Sequence, residues 1–160
     1  MRKAVRAIVV RGDQMLVMHR NKFGREYYTL IGGGIQGSES AEDALRREVA
    51  EECGFVVTGG RLVFIEEAGD PYGTQYIYLC DVSGDEPRLA ADSAEMSLIP
   101  LGNIHTPMWA PIADIENVPF RSENLKQAIM YGFKYGFPEQ PVQLDRQYLD
   151  RVQSNIAKKG

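Results

Sequence analysis

GGIQGSESAEDALRREVAEECGF, residues 33–55, is the stretch on which the reading of this chain turns. Ser40 with Asp43 three residues later is a capping-box pattern, and Gly54 is a natural left-handed stop. A helix is therefore predicted from about Ser40 to Cys53. Ala41, Leu45 and Val49 recur every four residues and form its buried stripe. Glu48, Glu51 and Glu52 stand at i, i+3 and i+4 and share another face. A like-charge pair at i, i+4 costs about 0.2–0.5 kcal/mol, and three crowded carboxylates cost more. A hard divalent cation removes that cost, and carboxylate oxygens with water are the ligand set that Mg²⁺ or Mn²⁺ prefers. Glutamates at these spacings are, on their own, an ordinary solvated helix face. The setting raises this trio above that. Gly32-Gly33-Gly34 lies just upstream, where bare backbone can approach a metal or a phosphate. Glu39 lies at the mouth of the helix, where the dipole favours a carboxylate.

The spacing is more specific than the composition. Gly33, Glu39, Arg47-Glu48, the aliphatic Val49, Glu51-Glu52, Gly54 and the apolar Phe55 match all nine fixed positions of the Nudix box, so this 23-residue stretch resembles that family. Such a match in a chain of this length is expected by chance on the order of one time in ten million. The resemblance implies an α/β fold, a Nudix-type α/β/α sandwich with a mixed β-sheet. It implies an enzyme, a Mg²⁺- or Mn²⁺-dependent pyrophosphohydrolase. Such an enzyme cleaves a phosphoanhydride in a nucleoside diphosphate linked to another moiety, either a nucleoside triphosphate or a nucleotide sugar such as ADP-ribose. By the same resemblance Glu48, Glu51 and Glu52 supply metal ligands together with the carbonyl of Gly32, and Gly33 and Gly34 lie against the substrate. Glu48 is also a general-base candidate. Arg47, one turn before Glu51, would hold it by a charge-assisted hydrogen bond, and Glu39 is expected to order the start of the helix. Two positions depart from the family's habit, Ile31 where proline is frequent and Gln36 where an acid is frequent; both concern loop shape.

Elementary electrostatics supports this chemistry. A pyrophosphate bridge is doubly anionic and repels hydroxide. Metal ions neutralise it, template it and lower the pKa of a bound water. Little covalent chemistry is left for the protein, and no Ser, Cys or His nucleophile is needed. His19 and His105 fit no triad spacing and read as structural or loop residues. Many family members draw a further acid from a distant loop. Glu95, in the acidic stretch Ala91–Ser97, is the candidate, with Glu66 and Glu67 behind it; the plain alternative is a solvated loop glutamate. The rival from another class is a catalytically silent nucleotide-binding sensor of the same fold, and the intact glutamates argue against it. Isoprenoid diphosphate isomerisation, also hosted by this fold, is disfavoured by the unaltered box.

Working outward, Lys3–Arg11 is a strand pattern, Gly12-Asp13-Gln14 a turn and Met15–His19 a second strand, so residues 3–19 read as a hairpin. Glu26–Ile31 is a third strand, and the triple glycine is expected to end regular structure. Phe55–Glu67 and Gln75–Val82 are strands joined by the turn Gly69–Gly73. Residues 83–103 read as a long acidic loop, Met108–Ile112 as a strand and Asn124–Tyr135 as a helix. Pro138 and Pro141 form a short linker before an amphipathic helix over 144–158. Its stripe Leu144, Tyr148, Val152, Ile156 should be buried on the domain or on a second subunit as a homodimer. Residues 1–136 are assigned to the hydrolase domain and 137–160 to a helical extension of the same domain.

The chain has 160 residues with 18 basic against 22 acidic, ordinary composition for one globular domain. The mildly acidic balance gives no general pull toward nucleic acid polymers or anionic lipid, while leaving room for a small anionic ligand. No apolar run approaches a membrane span. Cys53 and Cys80 cannot form a disulfide framework and read as buried hydrophobes in a reducing compartment, so a cytoplasmic protein is expected. Substrate choice lies outside the box. Family subgroups are sorted by proline or tyrosine some 15–18 positions beyond it, and Pro71 and Tyr72 fall there together. Phe23, Tyr27, Tyr28, Tyr76, Tyr78 and Trp109 are candidates to stack on a base, and Arg20, Lys22 and Arg25 to meet phosphates. The short chain leaves little room for a large second moiety, which favours a nucleoside triphosphate.

Overall fold

The computed structural model describes residues 2–91 and 93–159; Met1, Gly160 and Asp92 of the acidic stretch lie outside them. Strands β1 (Lys3–Arg11) and β2 (Gln14–Lys22) pair only next to their turn, through Val10–Met15 and Arg11–Gln14. The expected hairpin is therefore confined to its tip. Each strand is claimed elsewhere. β1 pairs with β4 (Ile31–Gly34) antiparallel and with β6 (Thr74–Ser83) parallel. β2 lies between β3 (Arg25–Thr29) and β7 (Asn103–Pro111), antiparallel to both. β5 (Val56–Glu67) runs antiparallel to β6, and β8 (Val142–Gln143) adds parallel to β5. Among the described residues this is a mixed sheet of eight strands.

The triple glycine does not end regular structure; it is β4. A Cβ on Gly32 would lie 1.9 Å from the Val5 carbonyl oxygen, and Gly32 has φ +149°. Only glycine lets this backbone lie against β1 in that conformation. The loop expected over residues 83–103 also contains a 3₁₀ helix, Ala94–Leu101, ended by left-handed Gly102. β7 begins at Asn103 rather than Met108, because it pairs along β2 from Lys22 to Gln14.

Helix α1 (Ala41–Cys53) forms as its caps dictate. The Ser40 hydroxyl accepts from Asp43 N–H, and Gly54 is left-handed. It buries Ala44, Leu45, Val49 and Cys53 against Val5, Ala7 and Val9 on one face of the sheet. The opposite face carries the short α2 (Ile112–Ile115), α3 (Glu123–Tyr135) and α4 (Arg146–Lys159). There Leu125, Ile129, Leu149 and Val152 pack with Ile8, Phe64 and Ile77. The layering is α/β/α. Leu144, Tyr148 and Val152 of the tail stripe are buried in this chain's own core, whereas Ile156 is 43% exposed. Both cysteines are free and buried. Among the described residues no helix is long and apolar enough to cross a membrane.

Candidate active site

β2 changes character along one face. Leu16 and Met18 are buried over α1, and Arg20 and Lys22, the next residues on that side, line an open cleft of about 390 Å³. β3 contributes Tyr27 and Thr29, β4 contributes Gly32, Gly33 and Gly34, and α1 contributes Glu48 and Glu52. Glu95 of the 3₁₀ helix, His105 of β7, Tyr72 and Arg121 also line it. The cleft thus brings five cations (Arg2, Arg6, Arg20, Lys22 and Arg121) to face three carboxylates.

Glu52 is 4% exposed, and its Oε1 accepts from the Gly32 N–H at 2.7 Å. Burial pushes its carboxyl up to about 8, against the Gly32 hydrogen bond and the attraction of Arg6. Glu48 is also buried, and burial raises its pKa while Arg47 opposes. Gly33 is the seat of that carboxylate: a Cβ there would lie 2.6–2.8 Å from its atoms. Arg47 does more than hold Glu51. Its Nε and Nη2 donate to the two oxygens of Glu39 at 3.0 and 2.7 Å, Nη2 also to the Gly34 carbonyl, and Nη1 to Glu48 at 2.8 Å and Glu51 at 3.3 Å. Arg47 is the main cause of the lowered Glu39 pKa, and Glu39 the main cause of the raised Arg47 pKa. Glu39 also accepts from the Gln36 N–H. This fork ties the start of α1 to β4.

The three expected carboxylates are not gathered at one point. Glu48 and Glu52 reach the cleft, while Glu51 remains 41% exposed on the Arg47 side and is not among the lining residues. Among the described residues no three His, Cys, Asp or Glu side chains stand together as a metal cluster. The Gly32 carbonyl accepts from Arg6 Nη1 at 3.2 Å. The donor chemistry nevertheless fits a hard divalent cation. Two desolvated carboxylates share the cleft with the glycine backbone, and Glu95 Oε2 is buried without a hydrogen-bond partner among the described residues.

His105, read from sequence as structural, is 8% exposed, and its Nδ1 has no hydrogen-bond partner in the described structure. Burial first, and Arg20 second, push its pKa down to about 4. It pairs across the ladder with Arg20, which pairs on its other side with Tyr27. Arg121 was not anticipated at all. Arg6, also missed, bridges the Leu30 and Gly32 carbonyls to Gln75. A period-two row, Met18, Arg20, Lys22, could have placed part of this wall, but ending the second strand at His19 and reading residues 20–25 as a basic loop broke it; β2 runs on to Lys22. Glu66 and Glu67 lie outside the cleft; Ser122 donates to Glu66 and Thr74 to Glu67.

Residues 1–129 match the family model described as NUDIX domain. The chain is 31% identical over 88 residues to the NAD-capped RNA hydrolase NudC of Pseudomonas putida, covering 55% of this chain and 32% of that protein. It is 28% identical over 106 residues to the ADP-ribose pyrophosphatase of Methanocaldococcus jannaschii, 63% of each. The matches thus span about a third and just under two thirds of these relatives. The fold resembles the crystal structure of an ADP-ribose pyrophosphatase from Streptococcus suis, with a TM-score of 0.61, 20% identity, and coverage of 89% of this chain and 96% of that one.

Proposed function

The chain belongs to the Nudix domain family, and on that premise we propose that it is a divalent-metal-dependent pyrophosphohydrolase. Its substrate is a nucleoside diphosphate linked to another moiety, as in a nucleoside triphosphate or a nucleotide sugar such as ADP-ribose. The observation that carries this reading is the juxtaposition, in one cleft, of buried Glu48 and Glu52 with the cationic wall of Arg2, Arg6, Arg20, Lys22 and Arg121.

Glu48 and Glu52, with the Gly32 carbonyl and Glu95 as further oxygen donors, would hold Mg²⁺ or Mn²⁺; Glu51, which the sequence offered as a third carboxylate, would have to turn from the Arg47 side to join them. The cation supplies charge neutralisation of the bridge and acidifies water. The chain's own residues do the rest. The basic wall draws in and orients the diphosphate, whose charge it matches. Arg47 and Glu39 keep Glu48 in register with the glycine strand. Glu48 is the candidate to take the proton of the attacking water. A P–O bond forms to water, the P–O bond to the bridging oxygen breaks, and that oxygen leaves on the second phosphate. No thiol competes as nucleophile: burial pushes both Cys53 and Cys80 up, Cys80 to about 12.

The test is a nucleotide panel with Mg²⁺, run in heavy-oxygen water. One label should enter the phosphorus of a single product in a single turnover. Glu52→Gln should lose at least roughly a hundredfold in kcat with the fold retained. A trapped phosphoryl-enzyme, or turnover of a compound lacking a phosphoanhydride, would overturn the mechanism. Tight nucleotide binding without turnover would leave a sensor instead.

A further inference from the structure

Lys22 and Arg25 form the last pair of the β2–β3 hairpin, and Phe23-Gly24 is its two-residue turn. Both turn residues have positive φ, +56° at Phe23 and +88° at Gly24. This is the pattern of a type I′ turn, in which asparagine or aspartate usually precedes the glycine. Phe23 is the only non-glycine with positive φ among the described residues. Sterics disfavour that conformation for a bulky side chain. Burial does not compensate, because Phe23 is 71% exposed. The turn is nevertheless held: the Phe23 N–H donates to the Gly102 carbonyl at 2.8 Å, and the Gly24 N–H to Asn21 Oδ1 at 2.9 Å. The fold thus fixes an aromatic ring in water at a conformational cost, and such outliers gather at functional surfaces.

Phe23 does not stand alone. Gly102 ends the 3₁₀ helix, and a Cβ there would lie 3.4 Å from the Phe23 ring. Leu101, beside it, is 66% exposed, and Ile99 and Met96 of the same helix are exposed as well. Four of the eight large apolar side chains exposed among the described residues therefore lie on these two neighbouring segments. Lys22 and Arg25, both exposed, flank the turn. Glu26 is the one acid of β2 and β3; it alternates to the other face of the hairpin and pairs with His19 at 3.3 Å. The tip is an apolar apex with a cationic collar.

We propose that this tip is a docking surface for an anionic lipid bilayer, in which Phe23 and Leu101 enter the interfacial layer while Lys22 and Arg25 meet headgroup phosphates. Apolar side chains backed by cations match both layers of such a surface. The mildly acidic balance of the chain is an average over the whole molecule; a bilayer's field, screened within about 8 Å at physiological salt, meets the cations of the tip first. An aromatic ring between cations would also stack on a base of single-stranded nucleic acid, but that partner gives the aliphatic Leu101, Ile99 and Met96 nothing to bury against. A second copy docked on the same tip would set these cations against their own mates.

The test is co-sedimentation of the full chain with vesicles of phosphatidylcholine alone or with about 30% phosphatidylserine, alongside thermal melts of each variant. The wild type should partition onto the phosphatidylserine vesicles at least about tenfold more strongly, and high salt should remove most of that difference. Phe23→Asn should lose about tenfold in partitioning while its Tm rises by about 2–4 °C, since asparagine suits the turn. Leu101→Gln should lose a similar factor, and Arg25→Gln about fivefold on the anionic vesicles alone. Phe23→Trp should bind at least as well as the wild type, because Trp favours the interface. A wild type that stays in the supernatant with both vesicles overturns the proposal. So does a Phe23→Asn variant that partitions like the wild type, or one that melts lower, which would make the ring a structural contact. Binding of a single-stranded oligoadenylate that Phe23→Asn abolishes, with no partitioning onto vesicles, replaces the lipid with nucleic acid. A dimer that Phe23→Asn dissolves, again without partitioning, replaces it with a second copy.

Discussion

Gly32 and Gly33 are adjacent and lack a side chain for different reasons. At Gly32 a Cβ would strike the Val5 carbonyl, part of the rigid β1–β4 ladder, at a φ that L-residues rarely adopt. Gly32→Ala should therefore cost on the order of 3 kcal/mol or more of stability, measured by denaturant unfolding. At Gly33 the Cβ would strike the Glu48 carboxylate, the end of a side chain that can swing away. Gly33→Ala should keep most of its melting temperature and lose activity, because the displaced carboxylate leaves the cleft. Glu66 offers a separate test on stability. It is 6% exposed, accepts from Ser122, and burial raises its pKa. A carboxyl whose folded pKa lies above its unfolded value binds more protons folded than unfolded over that interval. Its contribution is fully present below the ordinary carboxylate pKa of about 4.3 and is lost as pH rises through the folded value. Glu66→Gln should thus gain stability relative to wild type as pH rises from 4 to 8, in melts taken across that range. A variant that instead lost stability relative to wild type as pH rises would show the opposite sign.

At the scale of elements, α4 shows how an amphipathic stripe is used. Four positions at helical spacing suggested one continuous buried face, yet burial stops before Ile156. Leu149, absent from that stripe, is 4% exposed and belongs to the core with Val152. Leu149→Ala should cost about 3 kcal/mol, and Ile156→Ala less than about 0.5 kcal/mol. Chemical denaturation of the two variants checks this; equal losses would mean that Ile156 is covered by a second subunit. The start of α3 is tied to the sheet by one hydroxyl, since Ser122 accepts from the Leu125 N–H while donating to Glu66 on β5. That link sets the beginning of α3 beside the segment that presents Arg121.

For the whole molecule, the cleft lies where the sheet divides. β1 and β2 part after their shared turn, β4 continues along the edge of β1, and α1 covers the junction. Carboxylates desolvated in that junction bind a cation more favourably than exposed ones do. Mg²⁺ at about a hundred times its Kd should add about 2.7 kcal/mol of stability, or roughly 5–10 °C in Tm, and chelator should reverse it. Thermal melts with Mg²⁺ or EDTA, repeated on Glu52→Gln, measure this. An identical Mg²⁺ shift in that variant would place the cation elsewhere.

By itself the sequence determined α1 and its caps, the family, and the residues of the box, because local hydrogen-bonding rules and fixed spacing act within one turn or a few. It also named Arg20 and Lys22 as candidates to meet phosphates, but in a stretch read as a basic loop, which the structure shows to be the end of β2. Tertiary structure alone decided which carboxylates enter the cleft: Glu48 and Glu52 are buried against the glycine strand, while Glu51 stays exposed, although Arg47 reaches both Glu48 and Glu51. It turned the triple glycine into a strand, which takes a partner backbone 28 residues upstream, counting from Gly33 to Val5. It also brought His105 and Arg121 to the site. Neither sits in a motif, and their roles come from register and stacking against Arg20, Tyr27 and Tyr72, contacts between segments far apart in the chain that no local pattern encodes.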